Sequence, residues 1–224
     1  MKISIRIILL IFSIVLNALG NALTIKAALG SAPWTAASLN VSMGLGISVG
    51  TATIMIGSIV LVIDDLLRRK FNKIKNLFNF LYLVSFGYII DLWLFSMKHV
   101  EFNHFSFRLF LCIVGILMIG AAVSIYLRVD LVFHPCDDLL NILRHKYLNG
   151  NVIYAEIISL GIPLCISGAF GIVQNRIYGI NIGTIISFMF LGFFIHFFDR
   201  TIQLNNRQIV QFEPYWGKKK HNES

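Results

Sequence analysis

Charge is scarce in this chain. Asp, Glu, Lys and Arg together make up 13% of its 224 residues, against roughly 25% in a soluble domain. A soluble fold of this size must show a large share of its residues to water, and this chain has too few polar ones to cover that surface. Cysteine is limited to three, Cys112, Cys136 and Cys165, which lie far apart with no CxxC pair. An odd, dispersed set excludes a disulfide framework and gives no zinc signature. HExxH and Walker A motifs are missing as well, and His134 and Cys136 have no third group in sequence to orient them. No catalytic machinery and no cofactor is therefore expected.

What is present is apolar. Hydrophobic residues reach 57%, and the mean hydropathy is +0.76. A helix needs about 20 apolar residues to cross the hydrocarbon core of a bilayer. Six segments qualify: Ile5–Ala28, Gly50–Leu66, Asn76–Phe95, Phe107–Leu127, Val152–Ile172 and Tyr178–Phe198. The first follows Met1-Lys2-Ile3-Ser4-Ile5-Arg6, which resembles a signal sequence. Its run is long and no small-x-small site follows promptly, so it reads as a retained span. Two shorter stretches, residues 33–44 and 135–147, open with Pro33-Trp34 and Pro135-Cys136-Asp137-Asp138. Proline suits a first helical turn. These helices are too short to span, so they are expected to be re-entrant or to lie at the interface.

The net charge of +8 fits cytoplasmic loops rich in Lys and Arg, not nucleic acid, for which no basic–aromatic module is present. With the N-terminus inside, the inner segments carry Lys2, Arg6, Arg68, Arg69, Lys70, Lys73, Lys75, Arg128, Arg144, Lys146, Arg200, Arg207 and Lys218 to Lys220. The outer segments carry only Lys26, Lys98, Arg108 and Arg176. The positive-inside rule thus predicts six spans, with both termini cytoplasmic.

The halves resemble each other. Gly20–Ile25 aligns with Gly120–Ile125, Pro33-Trp34-Thr35 with Pro135-Cys136-Asp137, and Gly87 and Asp91 with Gly192 and His196. Each half holds three spans and one short helix, and an odd number of spans forces the halves to be inverted. The expected fold class is an all-α polytopic membrane protein of six transmembrane helices in two inverted three-helix repeats. Residues 1–100 form the first repeat, 101–199 the second, and 200–224 a polar cytoplasmic tail. Inverted repeats with broken helices recur in secondary transporters, with sites near the midplane.

The run Ala22-Leu23-Thr24-Ile25-Lys26-Ala27-Ala28-Leu29-Gly30-Ser31-Ala32-Pro33-Trp34, then Gly44 to Thr53 and Asp64-Asp65-Leu66-Leu67-Arg68-Arg69, with Asn79, Gly87 and Asp91, resembles the YczE/YyaS/YitT-type bacterial integral membrane proteins. The likeness covers most of the chain and is densest in the first 95 residues. It implies a multi-pass bacterial membrane protein and no particular activity. That family's pattern usually has an acid after Pro-Trp; here Thr35 stands there, whereas the second half keeps Asp137.

The candidate substrate- or ion-binding residues are Pro33, Trp34, Pro135, Asp137, Asp138, Asp91, Asn17, Asn21, Thr24 and Glu156. Asp137 and Asp138 either cap their helix near its positive dipole end or bind a cation or proton. Asp91 is a pathway residue or an interfacial anchor, because ionisable groups within spans are costly. Its repeat mate His196 shuttles protons or sits at the interface, with Asp199 nearby. Glu156 either pairs with Arg144 or Lys146 or joins Asn17, Asn21, Thr24 and Ser124 in a polar interior. Asn17, Asn21 and Thr24 share one helical face, which serves a solute or hydrogen-bonds neighbouring helices. Gly46, Gly50, Gly179 and Gly183 permit close helix contact or serve turns. Lys26 is expected to snorkel, and Asp64 and Asp65 form a helix-end charge cluster with Arg68 and Arg69. The leading expectation is a small secondary transporter or permease in the lipid bilayer, taking a small molecule or ion. The alternative is a membrane scaffold or regulator bound to a protein partner or to further copies of itself.

Overall fold

A computed structural model describes residues 2–69 and 71–202. Lys70 and the tail from 203 on, including Arg207 and Lys218 to Lys220, lie outside the described residues. The described chain is all helix: α1 (Ile3–Ala27), α2 (Pro33–Leu45), α3 (Val49–Arg68), α4 (Lys73–Ser96), α5 (Phe105–Val129), α6 (Pro135–Ile142), which runs on into a π-helical turn at Leu143–Tyr147, α7 (Val152–Gln174) and α8 (Ile182–Thr201). Six of these, all but α2 and α6, are long and apolar enough to cross a membrane.

The surface confirms the medium. Ile172 and Val173 are four-fifths exposed, and Ile59, Leu66, Phe95, Met189 and Phe193 are also open. Asn17, Asn21, Thr24, Asn40, Asp64, Asn79 and Asp138 are buried instead. So large an apolar exterior is stable only against lipid.

Local chemistry sets the helix ends. α3 and α4 begin where Ser48 and Asn72 accept from backbone N–H groups of the first turn. α8 starts at Ile182, later than the Tyr178 of the sequence reading, because Asn181 and Thr184 form a capping box. The second short helix covers residues 135–147 only as eight α-helical residues plus the π-helical turn.

α1 and α5 form the central antiparallel pair. At their crossing a Cβ on Gly20 would lie 2.7 Å from the Gly115 carbonyl oxygen, and one on Gly115 equally close to that of Gly20. Only glycines allow this approach. Each helix also closes the end of the other. Arg6 donates to the Val129 and Asp130 carbonyls at the end of α5, and Arg108 to those of Ala27 and Ala28 at the end of α1. Carbonyls orphaned at a helix C-terminus are thus met by a cation. α4 packs on α1 and α8 on α5, while α2 packs on α7 and α6 on α3.

Both short helices begin in the interior of the bundle. α2 begins inside the bundle, where Thr35 Oγ1 donates to Asn21 Oδ1 of α1, and runs back to the end of α7. There Asn40 pairs with both backbone groups of Tyr178, at 2.7 and 2.9 Å. α6 also begins inside, with His134 against Phe86 of α4 at 5.4 Å between ring centroids. It returns to the opposite face, where Lys146 and Tyr147 donate to carbonyls at the end of α3.

Candidate functional site

The starts of α2 and α6 meet in one cavity of about 100 Å³. A water needs about 10–15 Å³ of such space, so it accommodates several waters or one small solute. Asn17 and Asn21 of α1, Trp34, Thr35 and Ser38 of α2, Thr53 of α3, Cys136 and Asp137 of α6 and His134 just before it supply its polar wall. Ile56, Phe86, Ile90, Ile119, Val123 and Leu191 supply the apolar one.

Hydrogen bonds order that wall. Asn21 Nδ2 donates to the Asn17 carbonyl and to Asn17 Oδ1, both at 2.9 Å. Asn21 Oδ1 in turn accepts from Thr35. The side-chain amides of α1 therefore fix the entry of α2. On the other side, Tyr126 OH of α5 donates to Asp137 Oδ2, and Asn79 Oδ1 accepts from the Phe133 N–H at 3.3 Å. These contacts hold the entry of α6.

His134 caps α6, its Nδ1 accepting from Cys136 N at 3.3 Å. It sits edge-on against Tyr82 and Phe86. Burial pushes its imidazole below the ordinary histidine value, against the pull of Asp137. Because Nδ1 accepts here, the ring proton belongs on Nε2. Burial also pushes the Asp137 carboxyl up, while His134 and the Tyr126 bond pull it back. Asp137 is the one ionisable carboxyl on the cavity wall among the described residues.

Of the candidates from sequence, Asn17, Asn21, Trp34 and Asp137 are brought together here. Pro33 and Pro135 stand behind the wall at the first positions of their helices. The others lie elsewhere. Thr24 is buried, but its hydroxyl donates to the Asn21 carbonyl of its own helix and its methyl packs toward Gly115. Asp138 pairs with Arg68 and Lys75 on the side of α6 away from the cavity. Asp91 accepts from Ser48 Oγ at 2.5 Å and Gly50 N at 2.7 Å, so it caps α3 from α4. Glu156 is half-buried outside the cavity wall, and Lys146 spends its ammonium on Leu67 and Arg68 carbonyls rather than on it. Ser124 and Asp199 join Arg128 instead of the polar interior. Gly87 packs on Gly50, whereas Gly192 meets nothing within 4 Å.

Sequence reasoning overlooked Thr35, Ser38, Thr53, His134 and Cys136 as cavity residues. Thr35 was within reach, because it aligns with Asp137. It also treated Asp64 as part of a charged helix end, whereas Asp64 is 1% exposed.

These features define a multi-pass, all-α membrane protein whose two short helices share an interior cavity. The chain belongs to a family of unknown function, DUF6198, whose profile matches residues 4–200. It is 31% identical over 132 residues to a Bacillus subtilis protein named "Uncharacterized protein YyaS", covering 58% of this chain and 64% of that one. Over 134 residues it is 30% identical to the same organism's "Uncharacterized membrane protein YczE", covering 59% and 60%. A Haemophilus influenzae "Uncharacterized protein" is 26% identical over 185 residues, 80% of this chain and 81% of that one. The chain thus aligns with less than two thirds of the length of the two Bacillus proteins. No solved structure matches.

Proposed function

We propose that this chain is a small secondary transporter or permease for a small polar solute, built as two inverted three-span halves. The observation that carries this reading is the cavity where two re-entrant helices, entering from opposite faces, bring their first turns together around Asp137. Re-entrant helices are tolerated at membrane depth where they line a cavity, and a solute site at the junction of two halves is the recurrent transporter arrangement. The inverted repeat is supported by reciprocal contacts. Arg6 and Arg108, each the fourth residue of its helix, close each other's helix ends. α2 packs on α7 as α6 packs on α3. The excess of Lys and Arg at the face where α1 begins favours that face as cytoplasmic, with both termini on that side of a bacterial cytoplasmic membrane. Trp34, Asn17, Asn21, Thr35 and Asp137 then bind the solute, and no catalytic step is involved.

The test is a thermal-shift screen of detergent-purified protein against ions, amino acids and small metabolites. A ligand at a hundred times its Kd stabilises the folded state by about 2.7 kcal/mol. A shift that vanishes in Asp137→Asn supports the reading. A folded protein unmoved by the whole panel counts against it, and favours a scaffold held by a partner protein.

A further inference from the structure

Asp64 lies outside the cavity, near the end of α3. It is 1% exposed, and neither carboxylate oxygen has a hydrogen-bond partner among the described residues. The charged groups that face it are Asp138 from α6, Arg68 and Asp65 from its own helix, and Lys75 from α4. Both cations are engaged with Asp138, Arg68 with Oδ1 and Lys75 with Oδ2 at 3.2 Å. Asp65 accepts from Asn76. One turn before Asp64, Val60 packs with Cys136 and Leu139 of α6 in an apolar cluster.

An ionised carboxylate in such a place, with no donor aimed at it, is strongly disfavoured. A bound proton removes the charge and needs no cage of ligands. A metal ion would need several oxygen donors, and no group of three or more metal-binding side chains exists among the described residues. Arg68 and Lys75 would also repel it.

We propose that Asp64 is a proton-binding site at the junction of α3 and α6, whose release of the proton loosens α6 from α3. The proton passes from the carboxyl group to water at the adjacent face. The carboxylate left behind repels Asp138. It also competes for Arg68, one helical turn away, whose Nε is buried without a hydrogen-bond partner among the described residues. Both effects weaken the Arg68–Asp138 pair that ties α6 to α3. Because α6 carries Cys136 and Asp137 into the cavity wall, the site names the proton as coupling ion. That last step rests on the transporter reading; the proton site does not.

The experiment is infrared spectroscopy of the purified full-length protein at neutral pH. A protonated-carboxyl C=O band that is lost in Asp64→Asn, retained in Asp91→Asn and moved but kept in Asp64→Glu is expected. Asp64→Asn has nearly the shape of the protonated acid, so it should fold, and Asp64→Glu guards against a band lost through misfolding. A spectrum unchanged in Asp64→Asn overturns the site. The second readout is thiol labelling of Cys136 in a Cys112→Ala, Cys165→Ala background at matched alkaline pH. Labelling several-fold slower in Asp64→Asn supports the loosening of α6, and equal rates overturn it. Neither readout requires a transported solute, so a transporter reading that fails in the ligand screen leaves this result standing or falling by itself.

Discussion

Asp91 and Arg108 show how a charge inside an apolar helix acquires a structural task. The Asp91 carboxylate meets the Ser48 hydroxyl and the Gly50 N–H, which would otherwise be among the orphan donors of α3. Replacing Asp91 with Ala should cost about 0.5–2 kcal/mol, the range for a lost cap, and should leave ligand-induced thermal shifts intact. A loss of ligand binding without a drop in melting temperature would place Asp91 in the pathway instead. Arg108 donates to Ala27 and Ala28 at 2.7 and 2.9 Å. Hydrogen bonds from a charged group are each worth about 1.5–3 kcal/mol, so Arg108→Ala should lower the melting temperature markedly. Arg176→Ala serves as the comparison, because it removes an exposed arginine from the α7–α8 loop. Equal melting temperatures for the two variants would mean that solvent replaces the arginine at the end of α1.

Helices cross here by backbone approach. Gly20 against Gly115, and Gly50 against Gly87, leave no room for a side chain. Gly20→Val should therefore separate α1 from α5, with an overpacking penalty of about 1–3 kcal/mol or more, visible as a lower melting temperature or loss of monodisperse protein. Gly161→Ala, on α7 where a Cβ meets nothing within 4 Å, should be neutral or slightly stabilising. The short helices depend on polar anchors in the same way. Asn40 satisfies the N–H and carbonyl of Tyr178 and presents its own carbonyl to Gln174. Asn40→Leu would strand two backbone groups, each at about 1–3 kcal/mol, and should make the α7–α8 loop accessible to proteolysis in detergent. Resistance equal to the wild type would show the loop to be held by other contacts.

The bundle as a whole makes a claim about sidedness. If the face where α1 begins is cytoplasmic, a cysteine at Asn72, before α4, should be shielded from an impermeant thiol reagent in intact cells. One at Asn103, before α5, should be labelled. The reverse pattern would invert the bundle, and labelling of both would break the six-span path. The two sites lie at opposite ends of α4 and its loop, and both residues are exposed, so neither substitution disturbs the interior, and the exchange at Asn72 gives up only its cap on Lys75 N.

Periodicity and length were enough to place all six spans, because a lipid-facing helix must be apolar nearly throughout and that pattern is local. Pro33 and Pro135 marked the starts of the short helices for a similar local reason. Their depth was not legible. Whether a short helix lies at the interface or enters the bundle depends on partners remote in sequence, such as Asn21 for Thr35 and Tyr126 for Asp137. Asp137 and Asp138 look alike in sequence, adjacent acids after a proline. Only packing sends one to the cavity and the other to Arg68 and Lys75, since neighbouring residues on a helix point about 100° apart. Asp64 was hidden for the same reason. Beside Asp65, Arg68 and Arg69 it reads as a solvated helix end, and it is the arrival of α6 against α3 that buries it. The sequence determined which segments enter the membrane, and the tertiary structure decided which polar groups face one another there, because burial and charge pairing belong to contacts between helices rather than to any one of them.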